Sequence, residues 1–247
     1  MQNPQLDGNS CFLEGNNKSC VMLIHGFTAT TIEVKPFALY LNHLGYNVYC
    51  PLLPGHGTSP DDLNQQIWMN WVNIVEEYYL ENRSKYEKFF LAGESMGGVI
   101  ASYLAARQPE ISAVMLYAPA IKVDNLEFSK FVRFIKKIIP KKNASDDIEG
   151  NKLPWQGYVV HPTKAAYQFY LLQNKTKTLL PQINQPVIIF QGALDNTIAS
   201  DSSRYIYDNI NSTKKELVFL ENSGHCILLD SERDFVYHKS SEFIALN

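Results

Sequence analysis

The chain is short of the features that most often announce a function. Its four cysteines, Cys11, Cys20, Cys50 and Cys226, include no CxxC pair and no framework spacing. They read as reduced thiols, with a Cys11–Cys20 bridge as the lesser alternative. No HExxH, Cys/His cluster or EF-hand loop occurs, which argues against a dedicated metal site. Positive charge is not in excess either: the formal net charge is −3, and with no basic-aromatic stripe this excludes nucleic acid as an expected partner. The longest apolar runs are strand-sized, far short of the roughly 20 residues a membrane span needs. The opening "MQNPQLDGNSCF" has neither a charged n-region nor an apolar h-region. No signal peptide is therefore expected, and the expected location is cytoplasmic.

What is present is a chain of 247 residues, 45% hydrophobic, enough for one large core in a single α/β unit. Short apolar runs recur: "CVMLIHGF" (20–27), "YNVYCPLL" (46–53), "KFFLAG" (88–93), "AVMLYAP" (113–119), "PVIIFQG" (186–192) and "ELVFLEN" (216–222). Most are apolar on both alternating faces, the pattern of strands covered by helices on each side. Between them, Ile67, Trp68, Trp71, Val72, Val75, Tyr78 and Tyr79 repeat at helical spacing, and "MGGVIASYLAAR" stops just before Pro109. A last helix is expected from about Ser231 to Leu246, and short edge strands around Phe12 to Asn17. The alternation predicts an α/β fold with a mostly parallel sheet and right-handed crossovers.

One interval interrupts that rhythm. Residues 121–183 show no strand pattern and are expected to form a small helical cap inserted into a core of residues 1–120 and 184–247. Phe128, Phe131, Val132, Ile135, Ile138 and Ile139 form an apolar stripe at helical spacing, opposite Lys130, Arg133, Lys136 and Lys137. A second helix is expected around Ala165 to Leu172, with the polar "KKNASDDIEGNKLPWQG" as a loop between them. From Ile121 to Gln182 there are 11 Lys/Arg against 5 Asp/Glu, so the cap is basic and the remainder acidic. Phe128, Phe131, Val132 and Ile135 are candidates for the wall of an acyl pocket, although an amphipathic helix must bury an apolar face in any case. The basic side reads as a solvated face, with transient contact with an anionic lipid surface as the alternative.

The chemistry is concentrated in "LAGESMGG". Gly93-Glu94-Ser95-Met96-Gly97 follows an apolar strand and opens a helix, the context of a nucleophile elbow. Side chains at the flanking glycines would clash with neighbouring strand and helix. The turn lifts the serine hydroxyl to a helix N-terminus in the crevice at the strands' carboxyl ends. A serine needs a base to take its proton and an acid to orient the base. In this arrangement the chain order is Ser, Asp or Glu, then His. Asp195 follows "PVIIFQG" and His225 follows "ELVFLEN"; Asp201, Asp208 and Glu221 fit less well. Two N–H donors must face the tetrahedral intermediate. Met96, after the nucleophile, and Phe27, in "LIHGFTAT", are the candidate oxyanion donors. His25 and His56, in turn-rich loops, read as structural.

"HGFTAT", "LPGHG", "GESMGG", "GALD" and "SGH" occur in the order found in the α/β-hydrolase superfamily. Over about residues 20–246 the chain resembles its small bacterial carboxylesterases and monoacylglycerol lipases. That resemblance implies a hydrolase core with a cap over the active site, no cofactor, and cleavage of short- to medium-chain acyl esters or monoglycerides. It implies Ser95 as nucleophile, Asp195 as acid, His225 as base, and Phe27 and Met96 as oxyanion donors. Ile198 supplies the β-branched residue common three positions after the acid. Other reactions on the same residues stay open: thioester, C–C or peptide hydrolysis, acyl transfer, or ligand binding with little turnover. The basic cap disfavours an aminopeptidase, whose substrate amine calls for acidic partners.

Overall fold

The apolar runs become strands, and their burial accounts for their composition. The computed structural model describes residues 1–141 and 152–247. Strand β1 (Cys11–Leu13) leads into β2 (Ser19–Ile24), helix α1 (Lys35–His43) and β3 (Asn47–Cys50). The short α2 (Pro60–Leu63) and the longer α3 (Trp68–Asn82) precede β4 (Lys88–Glu94), α4 (Met96–Arg107) and β5 (Ala113–Tyr117). Then come α5 (Ser129–Val132), β6 (Ile138–Pro140), β7 (Val160–Pro162) and α6 (Thr163–Lys177). The sheet resumes with β8 (Val187–Gly192), followed by α7 (Ser202–Asn209), β9 (Lys215–Leu220) and α8 (Arg233–Ala245).

Among the described residues one sheet has seven strands in the order β1-β3-β2-β4-β5-β8-β9. The β1–β3 pair is antiparallel and the other pairs are parallel. Every residue of β5 and β8 is buried, as is all of β2 and β4 beyond the first residue. This is the helix-flanked, mostly parallel fold expected from the sequence. The edge strand β9 instead mixes buried and exposed positions. From β2 the chain crosses to β3 on one side, and from β4 it proceeds through β5, β8 and β9 on the other. The direction reverses between β2 and β4, where Ile24 lies beside Gly93. Such a switch point opens a crevice beyond the strands' carboxyl ends.

Aromatic packing seats the helices. Phe37 of α1 lies 4.9 Å from Tyr237 of α8, ring centre to ring centre, and Tyr117 of β5 donates to Ser240 of α8 at 2.9 Å. Trp68 of α3 meets Tyr103 of α4 edge-on at 5.6 Å. Cys11 lies opposite Cys50 in the β1–β3 register, so its cross-strand neighbour is Cys50 and not Cys20. No disulfide forms among the described residues.

The interval after β5 departs from the expected pair of helices. Its apolar stripe is divided between the four-residue α5 and strand β6, which pairs antiparallel with β7. The reason lies in the carbonyls. Lys136 O accepts from the Thr163 hydroxyl, and Lys137 O accepts from the Thr163 amide and from Asn64 Nδ2. Pro140 has no N–H to return to Lys136 O, Lys141 N donates to Val159 O instead of Lys137 O, and the β-branched Ile138-Ile139 before Pro140 suits a short strand. The second expected helix is present as the longer α6. The loop expected over residues 142–151 lies outside the described residues.

Asn64, just after α2, joins this interval to the core. Its Oδ1 accepts from the Lys164 and Ala165 amides, at 3.0 and 3.3 Å, while its Nδ2 donates to Lys137 O at 2.9 Å. Pro162 provides no side-chain cap for α6, so Asn64 serves as a cap from a distant segment. Asn64→Ala is expected to lower stability by about 1–2 kcal/mol, seen as a lower urea midpoint at unchanged slope.

Candidate active site

Strand β4 ends at Glu94, α4 begins at Met96, and Ser95 makes the turn between them with φ 55° and ψ −115°. A side chain in that region is strained by about 1–3 kcal/mol, so the surroundings must hold it. The Ser95 amide donates to Tyr117 O, and its carbonyl accepts from Gly98, Val99 and Ala120 amides. The flanking glycines fit the expected sterics. A Cβ on Gly93 would stand 2.2 Å from Gly97 O, and one on Gly97 would stand 2.0 Å from Ile24 O. Helix α4 can thus approach β2 closely enough to set Ser95 at the switch point.

Three residues far apart in sequence form one hydrogen-bonded chain. His225 Nε2 lies 2.9 Å from Ser95 Oγ, and His225 Nδ1 lies 2.8 Å from Asp195 Oδ2. Asp195 hangs from the end of β8. Its Oδ1 accepts from the Thr197 and Ile198 amides at 2.8 and 3.3 Å, and its Oδ2 from Gln191 Nε2 at 3.2 Å. Burial alone would raise the Asp195 pKa. The charge and hydrogen bond of His225, with the two amides, outweigh it and hold the carboxyl below its ordinary value. His225 sits on the turn after β9, where Gly224 N donates to Asp230 Oδ2 at 2.8 Å. An ionised acid on Nδ1 leaves Nε2 as the acceptor for the serine proton, the arrangement that makes a hydroxyl nucleophilic.

Phe27 and Met96 stand on the two sides of the switch point, one after β2 and one at the start of α4. Among the described residues, neither backbone amide has an acceptor. The Phe27 ring stacks on Phe169 of α6 at 5.6 Å and meets Trp71 edge-on at 6.2 Å. His25 braces the same loop, with Nδ1 2.9 Å from Gly26 O and Nε2 accepting from Leu53 N at 3.1 Å. Burial pushes its pKa down to about 4, which keeps it neutral. His56 is also buried, beside His25, with its Nδ1 3.2 Å from Pro54 O.

The four candidate pocket residues lie elsewhere. Phe128 is 53% exposed, Phe131 59% and Ile135 82%, and Val132 is half-buried. They belong to the short turn around α5, not to a helix laid over Ser95, so the structure does not enclose them as an acyl wall. Sequence reasoning missed Phe169 and Trp71 around the oxyanion loop, and Gln191 beside the acid. Trp71 was legible as a core position. Gln191 carried no local signal, since its role comes from bonding Asp195 while accepting from Ser203 Oγ at 2.6 Å. A depression of about 280 Å³ lined by Lys18, Tyr46, Glu87 and Ile244 lies at the opposite, amino end of the strands. Ser95, His225 and Asp195 meet at the other, carboxyl end of the strands, where Ser95 is 8% exposed. No three His, Cys, Asp or Glu residues group to hold a metal among the described residues.

A family model described as serine aminopeptidase, S33, matches residues 15–156 and 159–232. A thermostable monoacylglycerol lipase of Bacillus sp. (strain H-257) is 31% identical over 249 residues, covering 99% of this chain and 97% of the relative. A carboxylesterase of Bacillus subtilis (strain 168) is 30% identical over 238 residues, covering 94% of each. A structure solved in work on the metagenome-derived lipolytic enzymes LipS and LipT superposes with a TM-score of 0.91 at 26% identity, covering 98% of this chain and 99% of that one. A soluble variant of the monoglyceride lipase of Saccharomyces cerevisiae, solved with a substrate analog, has a TM-score of 0.79 at 19% identity over 96% of this chain and 91% of that one. At that identity the likeness concerns the fold alone.

The glycine contacts give a graded test. Gly97→Ala forces a methyl against the Ile24 carbonyl and is expected to destabilise the protein by about 3 kcal/mol. At Gly224 the nearest atom to an added Cβ is Asp230 Oδ2 at 3.5 Å, so Gly224→Ala is expected to cost less than about 1 kcal/mol. Denaturant midpoints of the two variants check the contrast.

Proposed function

Since the chain belongs to the serine aminopeptidase S33 family, we propose that its ester hydrolysis runs through a Ser95-His225-Asp195 triad and an acyl-enzyme. Similarity to a monoacylglycerol lipase and a carboxylesterase supports the reaction class. The observation that carries the assignment is the unbroken chain from Ser95 Oγ through the imidazole to Asp195. His225 takes the serine proton as Oγ attacks the ester carbonyl, while the Phe27 and Met96 amides hold the oxyanion. His225 then protonates the departing alcohol and later activates the water that releases the acid. Asp195 keeps the imidazole in the tautomer that presents a lone pair to Ser95. No cofactor enters this scheme.

The proposed substrates are esters of short- to medium-chain acyl groups, monoacylglycerols among them. The cap is the unit of residues 121–183, with Phe169 of α6 closing on Phe27. The basic residues Lys130, Arg133, Lys136 and Lys137 weigh against an aminopeptidase, which must attract a substrate ammonium. The apolar side chains exposed beside them offer transient contact with a lipid surface. No helix among the described residues is long and apolar enough to cross a membrane.

Initial rates on p-nitrophenyl esters from acetate to palmitate, with monoacylglycerols alongside, test the reading. Ser95→Ala is expected to lower turnover by about 10⁴-fold or more with the fold retained; wild-type rates in the variant would sink the assignment. In the wild type, kcat/KM is expected to fall toward acid as an imidazole gains the proton that disables it as a base. Because the Asp195 pKa is depressed, the acid stays ionised through that fall, which should follow a single protonation. A flat rate from pH 8 to pH 5, with acylation observed, would remove His225 from the role.

A further inference from the structure

Glu33 lies outside the triad, yet three segments converge on its carboxylate. It ends the short turn that follows the oxyanion loop and is 3% exposed. Oε2 accepts from the Gly26 amide, Oε1 accepts from Trp155 Nε1 at 2.9 Å, and Cys226 Sγ stands 4.0 Å from Oε1. Gly26 directly precedes Phe27, Trp155 belongs to the cap, and Cys226 directly follows His225. Gly26 is wedged between this carboxylate and the nucleophile. A Cβ built on it would lie 2.9 Å from Glu33 Oε2 and 3.1 Å from Ser95 Cβ. The loop that carries the Phe27 amide is therefore gripped from behind by Glu33 and from the front by Ser95.

A carboxylate suits this place because it accepts at both oxygens. A neighbouring buried carboxyl, Glu94, has an Oε2 without a partner among the described residues. Burial, and then repulsion from Glu33, hold the Glu94 pKa far above the ordinary range. Burial raises Glu33 as well, against the pull of the Gly26 and Trp155 donors, and each Glu33 oxygen accepts one N–H.

We propose that Glu33 is a positioning residue: it fixes the oxyanion loop against Ser95 and ties that loop to the cap through Trp155. The proposal rests on the reading of Ser95 as nucleophile. A carboxamide has one acceptor and one donor, so in Glu33→Gln either Gly26 N–H or Trp155 N–H faces an NH₂ group. Removing the indole donor relieves that conflict, because the single carbonyl oxygen is then available to Gly26.

The test is a cycle of Glu33→Gln, Trp155→Phe and the double variant, assayed on the best ester found for the wild type. Glu33→Gln is expected to lower kcat by about 10–100-fold, with KM changing less than about twofold. The double variant is expected to recover at least about tenfold of that loss, because only one donor then needs an acceptor. Wild-type kcat in Glu33→Gln, or a double variant no faster than Glu33→Gln, would overturn the proposal. Hydrogen exchange supplies a readout independent of turnover. In Glu33→Gln, faster exchange confined to residues 26–31 and 153–158 is expected, and faster exchange in β5 and β8 as well would reduce Glu33 to a general support of the fold. Should Ser95→Ala keep full activity, the nucleophile reading fails, while the exchange pattern still decides whether Glu33 clamps the loop.

Discussion

The structure depends on one close approach, the contact of α4 with the end of β2. Gly97 has no Cβ, so its backbone can lie against the Ile24 carbonyl at a distance no other residue allows. That approach sets the first turn of α4 beside the oxyanion loop and forces Ser95 into its left-handed backbone conformation. The strain is held by two hydrogen bonds, from the Ser95 amide to Tyr117 O and from the Ala120 amide to Ser95 O, which fasten the turn to β5 and the segment after it. The same contact defines the switch point, because β2 and β4 are the strands from which the chain departs in opposite directions. The backbone alone thus leaves two amides without an acceptor among the described residues, those of Phe27 and Met96, on the two sides of the switch point.

Much of this was legible in the sequence where the physics is local. β5 and β8 could be read because strands covered on both faces have no polar alternation, and their apolar runs are unbroken. The meeting of Ser95, Asp195 and His225 could be read because each lies past a strand, β4, β8 or the half-exposed β9, and parallel strands bring their carboxyl ends together. The roles of Gln191, Glu33 and Asn64 could not be read. Each acts through a partner whose position is fixed only by the tertiary fold: Ser203 beside Gln191, Trp155 on Glu33, Lys164 and Ala165 on Asn64. A glutamine near a strand end and a glutamate in a turn look the same whether or not a distant donor reaches them.

The apolar stripe from Phe128 to Ile139 shows where periodicity misleads. Its spacing suits a helix, but spacing records only which residues would share a face. The backbone there is decided by Thr163 and Asn64, which claim the carbonyls of Lys136 and Lys137. Turns after α5 run on to Lys136, and beyond them the two isoleucines pair with β7. The stripe is left turned outward, and the apolar neighbour of the oxyanion loop comes instead from α6, through Phe169.

Three buried carboxyl groups lie around the Ser95 turn, and the supply of N–H donors distinguishes them. Burial pushes each toward its neutral form. Asp195 meets the most donors, two amides, the Gln191 carboxamide and the imidazole, and its pKa ends below the ordinary value. Glu33 has two firm donors and stays raised. Glu94 has the Leu228 amide at 3.1 Å on one oxygen and an unpartnered second oxygen, and it is raised furthest. Donors therefore oppose burial most at Asp195, where the charge of His225 and the amides after β8 draw the carboxyl toward its charged form. The imidazole of His225 thereby faces one carboxylate on its Nδ1 side, and its Nε2 faces Ser95.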